Sequence, residues 1–325
     1  MDSVIEVEHA FKTAGGREIL NDVSLRVERG SIHGLIGKSG AGKTTTLKVI
    51  LGFTSLSRGA ARVLGAASFR LFERYGEVGA TLDRAAIEEN LTVEQNLRLH
   101  ARRYGKAGRN ADQWLERLDL LALKEQRAWR LSQGEQQRLG IALALFLEPR
   151  LLVMDEPLSH LDPGLARQVM EAMRNEVERR DLTVLLSSHQ LFHVERYARR
   201  MTLIHKGHIL LEGSMDEMLR RRGVRLWVKA EPKAQAVDLL RRHPLVQSLD
   251  TQARHPRQGK GDESQDGTWV RLELREDDPA SVNEALFRQG IRVSHLEPDR
   301  PSLDDLFYEA TAAFDSSAAH PGAHR

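Results

Sequence analysis

"GKSGAGKTT", residues Gly37 to Thr45, carries three glycines, two lysines and no bulky side chain. It lies between two apolar runs, "SIHGLI" before it and "LKVILGF" after it. Glycine removes side chains where something large must lie against the backbone. The lysine and threonines that close the stretch suit an anionic guest. Gly37, Gly42, Lys43 and Thr44 fit the spacing G-x-x-x-x-G-K-[ST] at every fixed position. Leu47, Ile50 and Leu51 recur at helical spacing, so the bare stretch joins a buried strand to a helix start. The amides of Ser39, Gly40, Ala41 and Gly42 then form a nest for phosphate oxygens, and the positive end of the helix adds to it. Lys43 would reach the β- and γ-phosphates, the Thr44 hydroxyl would sit on Mg²⁺, and Thr45 follows in the same turn. The alternative is a plain glycine hinge.

"LLVMDEP" supplies the partner. A buried strand ending in Asp155 places a carboxylate at the carboxyl edge of the sheet, where ligands gather in open α/β folds. Asp155 would hold Mg²⁺, and Glu156 would orient or deprotonate an attacking water. Alone, an apolar run closing on two acids is often a strand ending at the surface. Beside the glycine loop it reads as the second half of a nucleotide site.

The bulk properties are those of an ordinary globular chain. Its 325 residues suggest two domains. The formal net charge of +2 gives no bulk pull towards nucleic acid, and none is expected as a partner. Arginine pairs such as Arg102-Arg103 and Arg179-Arg180 are scattered and read as solvated helix faces. The chain has no cysteine, which excludes disulfides and thiolate-bound metal. "MDSVIEVEHA" lacks the basic and apolar regions of a signal peptide. No apolar stretch approaches the roughly 20 residues that span a bilayer. The expected location is the cytoplasm.

Strands alternating with helices predict an α/β domain with a largely parallel sheet over residues 1–222, including a helical region of about 84–148. "NLTVEQNLRLHARRYG" has an Asn90/Thr92 start and a Gly105 stop. "NADQWLERLDLLAL" and "LSQGEQQRLGIALALFLEP" follow as helices, and "MTLIHKGHILLEG" reads as a strand pair turned at Lys206-Gly207. Residues 223–313 give a smaller α+β pattern, interrupted by the loop-like "ARHPRQGKGDESQDG". Residues 314–325 read as a disordered tail.

"LSQGEQQR" is where the chain resembles a particular family. A Leu-Ser-x-Gly turn at a helix start, before the acidic strand, resembles the signature of ATP-binding-cassette (ABC) ATPases. Phe11 sits where that family stacks an aromatic ring on adenine. "SHLD", ending in Asp162, resembles the D-loop, and His189 after "LLSS" resembles the switch histidine at the γ-phosphate. The resemblance covers about residues 3–220 and implies a mixed-sheet P-loop fold that binds ATP with Mg²⁺ and hydrolyses it. It also implies a head-to-tail homodimer. Ser132, Gln133 and Gly134 of one subunit would close on the phosphate held by Lys43 of the other.

Two departures and one further resemblance narrow the reading. Gln133 and Glu135 replace the usual Gly and Gln of the signature. Asp83 sits where the Q-loop normally has Gln, and an acid at this place resembles bacitracin- and lantibiotic-type exporters; it is an acceptor only and a further candidate metal ligand. It implies slower or more tightly gated hydrolysis. "PSLDDLFYEAT" resembles the segment ending many ATPase subunits of ABC-2-type exporters, whose membrane domain is a separate polypeptide. The leading expectation is therefore the ATPase of such an exporter, peripheral on the inner face of the cell membrane. A soluble ABC ATPase on DNA or ribosomes usually carries long coiled coils or two cassettes, and this chain has neither. An ABC ATPase for maturation of an exported protein would share every motif. A catalytically dead regulator is opposed by Lys43, Asp155, Glu156 and His189.

Overall fold

The computed structural model describes residues 3–74, 76–82, 87–105, 111–214, 217–218, 224–253, 269–276, 278–299 and 303–319. Contacts divide the chain into two units, Met1–Met215 with Phe307–Arg325, and Asp216–Leu306.

The first unit is built on strands that are buried along their whole length. In β3 (Ile32–Ile36), β7 (Leu151–Met154) and β8 (Thr183–Ser188) every residue is buried, as befits a parallel sheet covered on both faces. With β1 (Ser3–Ala14), β2 (Arg17–Glu28), β4 (Arg58–Val63), β5 (Ala66–Ala67), β6 (Val78–Thr81), β9 (Arg200–His205) and β10 (His208–Gly213) they form two sheets. The six-stranded sheet runs β10-β9-β3-β8-β7-β6, parallel except for the β9–β10 hairpin. The four-stranded sheet, β2-β1-β4-β5, is antiparallel. Ile5, Val7, Leu25, Leu35, Leu47 and Val153 share one core cluster. The register of the parallel sheet brings Ile36 beside Ser188 and Met154 beside Leu186. The glycine loop, Asp155 and His189 therefore leave one sheet edge together.

Around the sheets lie α1 (Lys43–Ile50), α2 (Val93–Arg103), α3 (Asp112–Arg117), α4 (Gln133–Phe146), α5 (Pro163–Arg180) and α6 (Leu191–Tyr197). In α2, Val93, Asn96, Leu97 and Ala101 are buried, one helical face, and Thr92 with Gln95 closes a capping box at its start. Helix α3 is only six residues long, shorter than the periodicity of "NADQWLERLDLLAL" predicts. After it the chain turns through a short 3₁₀ segment, Leu121–Leu123.

The second unit is a β-α-β-β-α-β unit of the split type: β11 (Val224–Glu231), α7 (Lys233–Arg241), β12 (Val246–Asp250), β13 (Trp269–Leu274), α8 (Pro279–Arg288) and β14 (Arg292–Asp299). Its antiparallel sheet has the order β12-β13-β11-β14. Leu226, Val228, Leu240, Leu272, Val282 and Leu286 form its core. The interrupting stretch beginning at Arg254 lies outside the described residues.

The C-terminal end differs from the sequence reading. Helix α9 spans Leu303–Ala319, and its residues from Phe307 onward belong to the first unit, not to a domain ending at residue 313. Residues 314–319 are helical, where the Ser/Ala composition suggested a tail. The reason is side-chain anchoring: Asp315 pairs with Lys206 and His205, and the Phe314 ring lies against His205 and His208.

His33, fully buried in β3, meets the Thr202 hydroxyl at 2.8 Å. Burial, helped by the nearby Arg200 charge, pushes its pKa down to about 3. The folded protein keeps His33 neutral, while the unfolded chain takes up a proton below pH ~6.5. Stability therefore falls as pH drops from about 6.5 towards 3, by about 1.4 kcal/mol per pH unit from this residue. Urea midpoints at about pH 7.5 and 5 are expected to separate more in the native chain than in His33→Gln. Equal separations would assign the pH dependence to other groups.

Candidate functional site

The start of α1 is built without a side-chain cap. Gly42, at φ 111°, is its N-cap residue and no side chain accepts from the first-turn amides. By contrast Thr92, Ser132 and Asp162 cap α2, α4 and α5 through their own oxygens. Open amides at a helix start are anion-binding groups. Gly37 is required by close approach: a Cβ there would meet the Ile204 carbonyl oxygen at 2.4 Å. Beside the loop is a cavity of about 580 Å³ whose walls include Ser39 to Thr45, Asp155 and Glu156.

Lys43, only 6% exposed, donates to the carbonyl oxygens of Gly37 at 2.6 Å and Lys38 at 3.3 Å, and pairs with Glu156 at 3.1 Å. The cation is thus held inside the loop's curve. Thr44 donates to Asp155 Oδ2 at 2.6 Å, while Ser187 donates to Asp155 Oδ1. Ser187 Oγ also accepts from the Glu156 amide at 2.9 Å. His189 Nδ1 lies 2.8 Å from Glu156 Oε2, which also accepts from the His189 amide at 3.2 Å. Glu156 has a left-handed backbone, φ 46°, uncommon for a residue with a side chain and frequent at functional sites.

A hydroxyl and a carboxylate 2.6 Å apart are hard oxygen donors of the kind Mg²⁺ takes when phosphate oxygens and water complete its shell. An open helix start, a buried lysine and these donors fit a nucleoside triphosphate with Mg²⁺. A carboxylate steadied by a histidine fits the orientation of water.

Other sequence candidates lie elsewhere. Gly37 contributes its carbonyl to Lys43 and is not part of the cavity wall. Phe11 is also outside it; the Arg58 guanidinium sits 3.8 Å from the centre of its ring. Ser132, Gln133 and Gly134 open α4 away from the wall. Glu135 donates its amide to the Ser132 hydroxyl and accepts from the Ser132 amide, so the signature departure closes a capping box. A Cβ on Gly134 would meet the His160 carbonyl oxygen at 2.9 Å. Asp162 accepts from the Gly164 and Leu165 amides at the start of α5. Asp83 lies outside the described residues. Sequence reasoning missed Ser187, although it stands two residues before His189. It also missed two residues that line the cavity: Ile19, which lies in no motif, and Gln137, which lies within the quoted "LSQGEQQR" but was given no role.

A family model described as "ABC transporter" matches residues 20–159. The daunorubicin resistance ATP-binding protein DrrA3 of Streptomyces coeruleorubidus is 31% identical over 95% of this chain and 96% of its own. The chain belongs to the ABC transporter family. It is an ATP-binding and ATP-hydrolysing subunit of that family, working with Mg²⁺. The bacitracin transport ATP-binding protein BcrA of Bacillus licheniformis is 28% identical over 94% of this chain and 97% of its own. A solved ATP-binding subunit of an ABC transporter superposes with a TM-score of 0.62 at 30% identity, covering 67% of this chain and 92% of that one.

Ser187 touches both acids without facing the cavity, so Ser187→Ala is expected to lower kcat about tenfold, the usual cost of losing a hydrogen bond that supports a candidate metal ligand. Glu156→Gln is expected to lower it at least about a hundredfold while ATP still binds. Steady-state hydrolysis and ATP titration distinguish the two; unchanged turnover in Ser187→Ala would remove it from the site.

Proposed function

We propose that this chain powers an ABC exporter as a head-to-tail homodimer beneath a separate ABC-2-type permease, on the inner face of the cell membrane. One observation carries the dimer: the cavity is walled by the phosphate loop, Asp155 and Glu156, while Ser132 to Gly134 open a second helix outside that wall. In this reading they serve the nucleotide of the other subunit. The Ser132 hydroxyl accepts from Glu135 and keeps its own hydrogen to donate to the γ-phosphate. Asp162, by capping α5, fixes the D-loop that runs beside the joint. Export of a toxic compound is supported by the likeness to the bacitracin transport and daunorubicin resistance proteins over nearly the whole chain.

The residues then take distinct roles. Lys43 and the loop amides bind the phosphates, and Thr44 and Asp155 hold Mg²⁺. Glu156 orients the attacking water and His189 holds Glu156 in place. Phe11 takes adenine on the ring face that Arg58 does not cover. Asp83 gates hydrolysis.

The permease would dock in an apolar groove of about 490 Å³, which runs from Phe53, Phe69 and Phe72 to His100 of α2 and Tyr104 just after it. Those three phenylalanines are 69%, 72% and 73% exposed, a clustering that marks an interaction surface more than a solvated face. An amphipathic cytoplasmic helix suits such a groove. No described helix is long and apolar enough to cross a membrane, so on this reading the spanning part is the partner's.

The test is to tag the chain, trap it as Glu156→Gln with ATP, and identify what co-purifies from gently solubilised membranes. A multi-spanning protein in near-equal amount is expected; ribosomes or nucleic acid would discard the exporter and keep the ATPase. With that partner in hand, Phe69→Glu and Phe72→Glu are expected to abolish its capture while leaving basal hydrolysis within about twofold, since the groove and the nucleotide cavity are walled by different side chains. Undiminished capture would move the docking surface elsewhere.

A further inference from the structure

Helix α9 meets the catalytic core at two places, and both lead to the phosphate loop. At its C-terminal end Asp315 Oδ1 accepts from Lys206 Nζ at 2.8 Å and lies 2.9 Å from His205 Nε2. Phe314, one residue earlier, places its ring 5.7 Å from that of His205 and 5.0 Å from that of His208. These contacts grip the two-residue turn of the β9–β10 hairpin. Lys206 and Gly207 have φ values of 46° and 78°, the geometry of a primed hairpin turn, which glycine accepts and lysine resists. The turn is pressed into the core: a Cβ on Gly207 would meet the Ile19 carbonyl oxygen at 2.4 Å. Its amide donates to the Ala41 carbonyl at 2.9 Å, inside the phosphate loop.

The second place lies two helical turns back. Phe307 has the Lys38 ammonium 5.8 Å from the centre of its ring, within cation–π range. Lys38 is the second residue of the glycine-rich stretch and part of the cavity wall. Its carbonyl accepts from Lys43. One helix therefore touches the loop directly through Lys38 and indirectly through Lys206, Gly207 and Ala41. The glycines that open the loop to a triphosphate also leave it with little side-chain packing of its own, so outside contacts must fix it.

We propose that helix α9 is a brace for the phosphate loop, with Asp315 and Phe307 as positioning residues for ATP binding. This rests on the chain being an ATP-binding cassette and is independent of the exporter reading. The hydrogen bonds from Lys206 and His205 hold the Asp315 carboxyl below its ordinary pKa, consistent with an ionised anchor. Neither residue faces the reacting atoms, so the brace acts on affinity and leaves the chemical step alone.

The experiment uses the purified full chain, with ATP affinity measured by equilibrium titration, turnover by steady-state hydrolysis, and melting recorded for every variant. Asp315→Ala and Phe307→Leu are each expected to raise Kd and KM for ATP about three- to tenfold, with kcat within about twofold, the scale of a partly exposed ion pair or cation–π contact. Asp315→Glu and Phe307→Tyr, which keep the charge and the ring, are expected to recover most of the loss. Lys206→Gln removes the same ion pair from the other side and is expected to match Asp315→Ala. Unchanged ATP affinity in Asp315→Ala and Phe307→Leu overturns the proposal. So does a fall in melting temperature and kcat with no selective rise in Kd, which would make α9 a support of the fold only.

Discussion

The Asp155 carboxylate is held from both sides, by the Thr44 hydroxyl on one oxygen and the Ser187 hydroxyl on the other. These partners come from the start of α1 and the end of β8, far apart in sequence and adjacent only because β3, β7 and β8 are parallel and in register. The polar knot depends on apolar cause. Three strands buried at every position must stack side by side, and their ends then deliver a lysine, two acids, a serine and a histidine to one edge. A slip of one residue between β7 and β8 would turn the side chains at these strand ends to the opposite faces and break the grip on Asp155.

Much of this was legible in the sequence, for physical reasons that differ by element. The glycine loop between β3 and α1 reads clearly because its bare backbone and its lysine stand at fixed spacing between a buried strand and a helix start. Thr92 and Ser132 read as helix starts because capping is a local interaction, decided within four residues. What could not be read is set by long-range contact. Ile19 enters the cavity wall from an antiparallel strand that carries no motif. The ring of Phe11 is covered by Arg58, which strand pairing brings to it. The end of α9 looks like a low-complexity tail until Lys206 and His205 are placed beside Asp315.

The helix starts divide by what they face. Those of α2, α4 and α5 satisfy their orphan amides with their own side chains, so each is locally complete. Helix α1 has a glycine where a capping side chain would sit, and no acidic residue in its first turn. At φ 111° that position strains any side chain, and a Cβ there would meet Leu20 Cδ2 at 3.0 Å and the Ile19 carbonyl oxygen at 3.2 Å, so the first-turn amides stay uncapped. The sequence gives up local stability there, as functional sites commonly do.

Glu156 makes the same point in the backbone. A left-handed conformation costs a residue with a Cβ roughly 1–2 kcal/mol, and glycine would remove that cost. Four side chains oppose it. Ser187 accepts from the Glu156 amide at 2.9 Å and Ser159 donates to its carbonyl at 3.0 Å, while Lys43 and His189 reach its carboxylate at 3.1 and 2.8 Å. At about 0.5–1.5 kcal/mol each for neutral hydrogen bonds, and more where a charge takes part, the partners outweigh the strain. Two of the four act on the backbone and would survive a change to glycine; the two on the carboxylate would not. The strained conformation aims the carboxylate between Lys43 and His189, beside the loop proposed to receive the triphosphate.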